Sequence, residues 1–440
     1  MNLTVEEIVM ATKAEVVKAK HGSMAYSITT DSRNISPNQL YLPLVGEKFD
    51  GHNFIESAVK LGVKGYFTQN PKIIFENADF IFLVPDTKEA YLQIARYYKR
   101  KINPITIAIT GSSGKTTTKE MMYAVASETF ITHKSILNHN NEVGLCQTLT
   151  SMPEDTQILI VEMGMRGLGE IELLSKYSEP DIAILCNVGS AHIGRLGSIN
   201  NISIAKNEIT KYLHKEGVFI ASDDEVVKKH NKFEGTTCYF GLNDPDLKII
   251  ELTSTGSVFE YKNQIYKVNL EGEHNIQNAL SVIKAGLRLG MTSSVIAKGL
   301  EKFKPIEKRW EIEEIAGFKI INDSYNANPE SVKATLKTFL TLYPSPKVVV
   351  LGDMGELGKD EKKYHSQIGD FLNGYKFDFL ITIGKLARKI KPDSKNYRNF
   401  DTTSDAAKYI YKKIKPGSTI LLKASRSMKF EEIIEELKKK

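Results

Sequence analysis

Residues 108–120 read AITGSSGKTTTKE, and their types and order suit one kind of chemistry. Glycines let a backbone close around phosphate oxygens, and the helix that follows turns its N–H groups and positive potential toward them. Lys115 would reach the β- and γ-phosphates and the hydroxyl of Thr116 would bind Mg²⁺. The whole loop, Thr110, Gly111, Ser112, Ser113, Gly114, Lys115, Thr116 and Thr117, is the candidate nucleotide cradle. The strict GxxxxGK[ST] pattern is not met, because Ile109 stands where its first glycine belongs; the loop is the shorter TGxxGKT. By itself it predicts ATP or GTP binding and names no reaction.

Three more residues could share that site. Glu162 ends the apolar run QILIVE, and a carboxylate beside a phosphate loop suits Mg²⁺, which prefers hard oxygen donors. His192 follows DIAILCNVGSA, and Lys206 lies in ISIAKNEIT. Taken singly, a lone histidine is as often structural, and a lysine in a helix is ordinary.

These residues need a frame. Apolar β-forming runs (ITIAIT, ILIVE, DIAILC) alternate with helical patterns from residue 105 to about 305, which predicts a mainly parallel sheet with crossover helices. FKIIN, KVVVLG, DFLITI and STILLK repeat the alternation after KFKPIEKRW, predicting a second α/β domain. The expected units are 1–102, 103–308 and 309–440. Gly111–Lys115, Glu162, Asn187–His192, Asp323 and Asp353–Glu356 all fall at C-terminal ends of predicted strands, the edge where open α/β sheets bind ligands. The first twenty residues read as an amphipathic helix capped by Thr4, and EEIIEELKKK as a helix whose charges complement its dipole.

Composition narrows the class. At 440 residues the chain exceeds one ordinary domain, and 41% hydrophobic with 25% charged residues is that of a globular protein. No apolar run approaches ~18 residues, so no membrane span is expected, and no secretory pattern opens the chain. Cys146, Cys186 and Cys238 are far apart, which predicts neither disulfides nor zinc and fits a reducing cytoplasm. The net charge of +6 would attract anionic substrates; scattered lysines without interleaved aromatics argue against nucleic acid.

TGSSGKTTTKE, NHNNEVG, VEMGMRGLGEI, NVGSAHIGRLGS, IAKNEI, GEHNIQNAL and NDSYNANPES, in this order, resemble the Mur ligases. DSYNANPES, VLGDMGELG and EMGMRGLGEI resemble the branch of that family whose acceptor is D-alanyl-D-alanine. The resemblance implies an α/β fold of three domains: a uridine-nucleotide domain, a central P-loop ATPase domain with a mainly parallel sheet, and a Rossmann-like C-terminal domain. It implies a cytoplasmic ligase of peptidoglycan synthesis, monomeric by default, using ATP and Mg²⁺ on UDP-N-acetylmuramoyl-tripeptide and D-alanyl-D-alanine. Glu162 and His192 become Mg²⁺ ligands, and Lys206 matches a lysine that CO₂ converts to a carbamate, itself an oxygen ligand. His274, Asn275 and Asn278 match nucleotide contacts, Arg309 a phosphate-reaching arginine, and Asp323 and Asn326 nucleotide contacts from the third domain. Asn140 and Asn141 match positions near the sugar-peptide. Asp31, Ser32, Arg33, Asp50 and His52 match the uridine-nucleotide signature. Lys423, Ser425 and Arg426 could form a carboxylate pocket.

The sequence departs from the family at Leu145–Cys146, where a proline is usual and a local backbone change is expected, and in the polar stretch SINNISIAK. The rival readings are a folylpolyglutamate-type ligase, a P-loop switch or motor driven by ATP hydrolysis, and a non-catalytic nucleotide-binding module.

Overall fold

The computed structural model describes residues 1–20, 24–136, 138–304 and 310–440. Arg309, one of the expected phosphate contacts, lies outside them.

Three β-sheets succeed one another along the chain, with a small fourth between the last two. The first has five strands in the order Glu15–Ala19, Phe80–Leu83, Gly65–Thr68, Gln39–Tyr41, Ser27–Thr29, parallel except for the first pair. The initial helix is shorter than the sequence suggests. Thr4 does cap it, in a reciprocal box with Glu7, but it ends at Thr12, and residues 15–19 are a strand. The Thr12 hydroxyl folds back on the Ile8 carbonyl (2.8 Å) and Lys13 turns left-handed at φ 57°, so the β-branched pair Val16 and Val17 leaves extended.

The central sheet is wholly parallel: Thr236–Phe240, Val218–Ser222, Ile182–Leu185, Ile105–Thr110, Ile158–Glu162, Thr132–Lys134. Its middle strands are buried on both faces, which is why they read as unbroken apolar runs. Ile107, Ile109, Ile158 and Ile160 face one core, which runs on through Ile276, Leu280 and Ile283 to Leu336, Phe339 and Val349. Ala108, Leu159 and Val161 face the other, which runs through Tyr91, Ile94 and Tyr98 to Phe67 and Phe82 of the first sheet. The helix Thr87–Ile102 thus joins the first two sheets, with Asp86 capping its start and Lys99, Arg100 and Lys101 in its last turn.

A three-stranded antiparallel sheet follows (Leu247–Thr253, Gly256–Tyr261, Gln264–Val268), which the expectation of uniform α/β alternation did not include. The last sheet runs Glu311–Ile315, Phe318–Asn322, Thr419–Lys423, Lys347–Gly352, Phe379–Ile383, Tyr397–Phe400, parallel except for its first, edge strand. The closing helix, Glu431–Lys438, forms as expected.

Candidate active site

The strand Ile105–Thr110 delivers its chain directly into the glycine loop. Gly114 sits at φ 79°, in the left-handed region that favours glycine, and the helix Lys115–Ala126 begins at the next residue. That helix buries Met121, Met122 and Val125 completely, each worth ~1.5–3 kcal/mol, so the direction of its N-terminus is fixed by packing. A Cβ on Gly114 would come within 2.6 Å of Asn278 Oδ1, so the loop needs glycine here for close packing as well as for φ.

Asn187, at the end of the neighbouring strand, holds the loop's shape. Its Oδ1 accepts from Ser113 N (3.0 Å), and its Nδ2 donates to the Ser113 carbonyl (3.1 Å). Ser112 N–H donates to the Asn187 carbonyl, and the Ser112 hydroxyl accepts from Gly189 N at 2.8 Å. Lys115 Nζ folds back to the Gly111 carbonyl at 2.8 Å.

A cavity of about 670 Å³ opens in front of the loop. It is lined by Ser112, Ser113, Gly114, Lys115, Thr116 and Thr117, by Asn140, Asn141, Glu162 and His192, and by His274, Asn275 and Asn278 with Asp323 and Asn326. Residues more than two hundred positions apart are therefore brought to one space. Thr110 and Gly111 lie just beneath it. Lys206 is also not on its lining: it is 2% exposed, near the end of the helix Ile199–Asn207, whose start Ser198 caps.

Glu162 is 4% exposed. Asn140 Nδ2 donates to its Oε1 at 3.0 Å, and Oε2 is buried without a hydrogen bond, 3.7 Å from Nζ of the fully buried Lys119. A buried carboxylate oxygen left in this state beside a phosphate loop is suited to a cation. Among the described residues no three His, Cys, Asp or Glu cluster as a self-sufficient metal centre. Mg²⁺ at a nucleotide site is commonly held by one or two protein oxygens together with phosphate and water. Thr116 and Glu162 fit the ion on this basis. Burial, and then the Lys115 ammonium, push the Lys206 amine well below the ordinary lysine value. Burial that disfavours the charged ammonium favours the form of the amine that is nucleophilic toward CO₂.

His192 has a left-handed backbone (φ 66°) and its Nδ1 lies 2.5 Å from Glu356 Oε2, off the line of a straight hydrogen bond. His274 is held down to about 4, by burial first, against the opposing pull of Asp323. Asp323 Oδ2 accepts from both Lys423 Nζ and the Thr335 hydroxyl, each at 2.7 Å. Asn275 donates to the Glu271 carbonyl (2.7 Å) and accepts from Asn278 (3.2 Å). Asn141 caps the helix Glu142–Thr150, which is regular through Leu145 and Cys146. Ser425 accepts from Gly355 N at 2.8 Å and Arg426 lies over the Tyr325 ring, so Lys423, Ser425 and Arg426 each face a different partner.

The expected uridine-nucleotide residues are not on this cavity. Asp31 is pulled down to about 2, chiefly by hydrogen bonds from Arg33, and both are exposed, with Ser32 between them. Asp50 caps the short turn Gly51–Phe54. His52 is committed to the fold: Nδ1 meets Asp50 at 2.7 Å and Nε2 accepts from Gln69 N at 3.2 Å.

Asn187 and Glu356 belong to the strand-end segments that the sequence places at the ligand-binding edge, though without a role, whereas Asn328 and Glu330 carry no such expectation. Asn328 Nδ2 reaches the Ser112 carbonyl at 3.4 Å, and the Ser190 hydroxyl donates to Glu330 Oε2 at 2.8 Å. Asn328 caps the helix Pro329–Leu342 and Glu330 lies in its first turn; what each of the four residues touches lies on another part of the chain.

Family models agree with this arrangement. Residues 25–99 match the model described as Mur ligase family, catalytic domain; 109–286 match the Mur ligase middle domain; 308–426 match the Mur ligase, glutamate ligase domain. The chain is 36% identical to the UDP-N-acetylmuramoyl-tripeptide–D-alanyl-D-alanine ligase of Bacillus subtilis, over 99% of this chain and 98% of that one. The crystal structure of MurF from Acinetobacter baumannii superposes with a TM-score of 0.93 at 29% identity, covering 100% of this chain and 99% of that one. MurF from Thermotoga maritima in complex with ADP superposes at 0.85 with 28% identity, covering 94% and 97%. A phosphate loop, a buried carboxylate and a C-terminal sheet edge meet in one cavity, along a chain matched from end to end, and on that ground the protein belongs to the Mur ligase family.

Proposed function

We propose that this protein is an ATP-dependent ligase that joins D-alanyl-D-alanine to UDP-N-acetylmuramoyl-tripeptide and so makes the pentapeptide precursor of peptidoglycan. The observation that carries the reading is the cavity itself, which sets a phosphate loop and Glu162 opposite Asp323 and Asn326. The near-full-length likeness to a ligase of that name supports the substrates.

A free carboxylate is a poor electrophile at neutral pH. The tripeptide's terminal carboxylate attacks the γ-phosphorus of ATP, forming a C–O–P bond as the bond to the ADP oxygen breaks. The amine of D-alanyl-D-alanine then attacks the acyl carbon, loses a proton, and the tetrahedral species expels phosphate to leave an amide. Catalysis of this kind rests on positioning and charge neutralisation. The loop N–H groups and Lys115 hold the transferring phosphoryl, and Arg309 is assigned beside them by family resemblance alone. His274, Asn275, Asn278, Asp323 and Asn326 hold the rest of the nucleotide. Docking of the C-terminal domain shields the acyl phosphate from water.

Thr116 and Glu162 would hold one Mg²⁺, and His192 with carbamylated Lys206 a second; bound there, the ions offset phosphate and carboxylate charge. Asn140 and Asn141 lie toward the peptide, and Asp31, Ser32, Arg33, Asp50 and His52 belong to the uridine-nucleotide end. The functional units are 1–102, 103–308 and 309–440. We place the enzyme in the cytoplasm as a monomer; no helix among the described residues is long and apolar enough to cross a membrane.

The test is phosphate release from Mg²⁺–ATP with UDP-muramoyl-tripeptide, with and without D-alanyl-D-alanine. Release that needs both, with a pentapeptide product by mass, is expected. Release indifferent to both would sink the ligase reading in favour of an ATPase switch, and release driven by glutamate on a folate would favour the folylpolyglutamate type.

A further inference from the structure

The segment after the strand Lys347–Gly352 is braced on one side and reaches across a boundary on the other. Asp353 Oδ1 accepts from the N–H groups of Leu386 (3.0 Å) and Ala387 (2.6 Å). His365 Nε2 accepts from Met354 N at 2.9 Å, and the Ser425 hydroxyl accepts from Gly355 N at 2.8 Å. Held from three directions by its own domain, the segment presents Glu356 to the central domain. There the Glu356 carbonyl accepts from Gly194 N at 2.9 Å. Gly194 and Gly358 touch so closely that a Cβ on Gly194 would stand 2.5 Å from Gly358 N.

Two side chains meet at this contact. His192 and Glu356 both adopt left-handed backbone, at φ 66° and 62°, a region that few residues other than glycine occupy. His192 lines the cavity, yet its Nδ1 is shut off from solvent, and the acceptor set against it, 2.5 Å away, is Glu356 Oε2. A neutral imidazole has one donor and one acceptor nitrogen, so a carboxylate taking Nδ1–H leaves the Nε2 lone pair free.

We propose that Glu356 is a positioning residue supplied by the C-terminal domain: its carboxylate, set against the buried Nδ1 of His192, holds that imidazole with Nε2 available to the cavity. His192 then becomes a competent ligand only when the two domains are docked. The inference rests on the reading of His192 as a metal ligand. A carboxylate behind a ligating histidine fixes its tautomer and ring orientation, and losing such a partner costs about 10–100-fold in metal affinity or activity. A simple docking brace would not need the side chain, because the backbone contact from Gly194 to Glu356 already joins the two surfaces.

The experiment uses the full-length protein with ADP and UDP-muramoyl-tripeptide bound. Mn²⁺ is titrated by electron paramagnetic resonance, and the Mg²⁺ dependence of D-alanyl-D-alanine-dependent phosphate release is measured in parallel. The variants are Glu356→Gln, which keeps the shape, and Glu356→Gly, which removes the side chain at a positive φ that glycine accepts. Each is also made in a His192→Ala background. Expected is a loss of one Mn²⁺ class and a ~10–100-fold rise in the Mg²⁺ midpoint, with the KM for ATP little changed. In the His192→Ala background the same substitutions should have no further effect. Mn²⁺ titrations that superpose on wild type, or an equal cost with and without His192, would overturn the proposal. A His192→Ala protein that keeps every Mn²⁺ class of wild type would instead overturn the reading of His192 as a metal ligand, on which the proposal rests.

Discussion

Asn187→Ala should weaken ATP binding without removing any group that touches the nucleotide's phosphates through a charge. The side chain makes two hydrogen bonds to the Ser113 backbone, at 3.0 and 3.1 Å, that fix the turn before Gly114, beside a longer one from the Ser113 hydroxyl at 3.3 Å. Each of the two backbone bonds is worth about 1 kcal/mol net, and ~2 kcal/mol corresponds to roughly 30-fold. Ser113 is only half-buried, so water replaces part of what is lost, and the expected fall in affinity is about 10- to 30-fold. Asn187→Asp separates this account from a generic loss of packing. It keeps the acceptor for Ser113 N but sets an anionic oxygen against the Ser113 carbonyl and adds charge beside the phosphates. It should therefore bind ATP worse than the alanine variant. Calorimetric titration of ATP into each protein checks both. Alanine within twofold of wild type, or aspartate binding better than alanine, would refute the claim that Asn187 shapes the loop.

Three further outcomes follow from the same geometry. Lys206→Ala should be nearly inactive and partly rescued by formate or acetate, and ¹³C-bicarbonate should give a carbamate resonance in wild type that Lys206→Arg lacks; full unaided activity of the alanine variant would exclude the carbamate. His274 is held at about 4 when folded against ~6.5 when unfolded, so the unfolded chain binds more protons between these values. Its contribution is present above pH ~6.5 and is lost as pH falls through about 4, by no more than ~3 kcal/mol since part of the ring faces the cavity; urea unfolding of wild type and His274→Gln at pH 7 and pH 4.5 should diverge, and parallel curves would count against it. Gly194→Val sets a side chain where Cβ alone would meet Gly358 N at 2.5 Å and the Glu356 carbonyl at 2.8 Å. At ~1–3 kcal/mol for such a clash, ligase turnover should drop about 10- to 100-fold with nucleotide binding kept and the radius of gyration by X-ray scattering increased; an unchanged radius would show that this contact does not hold the domains.

The strands of the central and C-terminal sheets could be read from the sequence because burial on both faces leaves unbroken apolar runs, as in ITIAIT and KVVVLG. The phosphate loop was equally legible, since its glycines and lysine act locally. The antiparallel strands at 247–268 were not anticipated, although the turns at Ser254–Thr255 and Lys262–Asn263 lie between runs of alternating polarity. The helix at the start was drawn too long because Val16 and Val17 fit either period until Lys13 turns the chain. Contacts between distant segments were the least accessible. Nothing local in DMGELG says that Glu356 meets His192, nor in NANPES that Asn328 meets Ser112, because those neighbours exist only once the sheets have packed.

The strand Thr419–Lys423 lies in the interior of its sheet, between Phe318–Asn322 and Lys347–Gly352, although it comes last of that sheet's described strands along the chain. During synthesis the two flanking strands therefore wait, unpaired on their inner edges, until Thr419–Lys423 has been produced. Lys423, which neutralises Asp323 across a 2.7 Å contact, arrives with that strand. A nascent chain can then complete its phosphate loop long before it completes the opposite wall of the cavity. A chain cut before Thr419 therefore lacks both the strand that joins the two halves of this sheet and the lysine that neutralises Asp323.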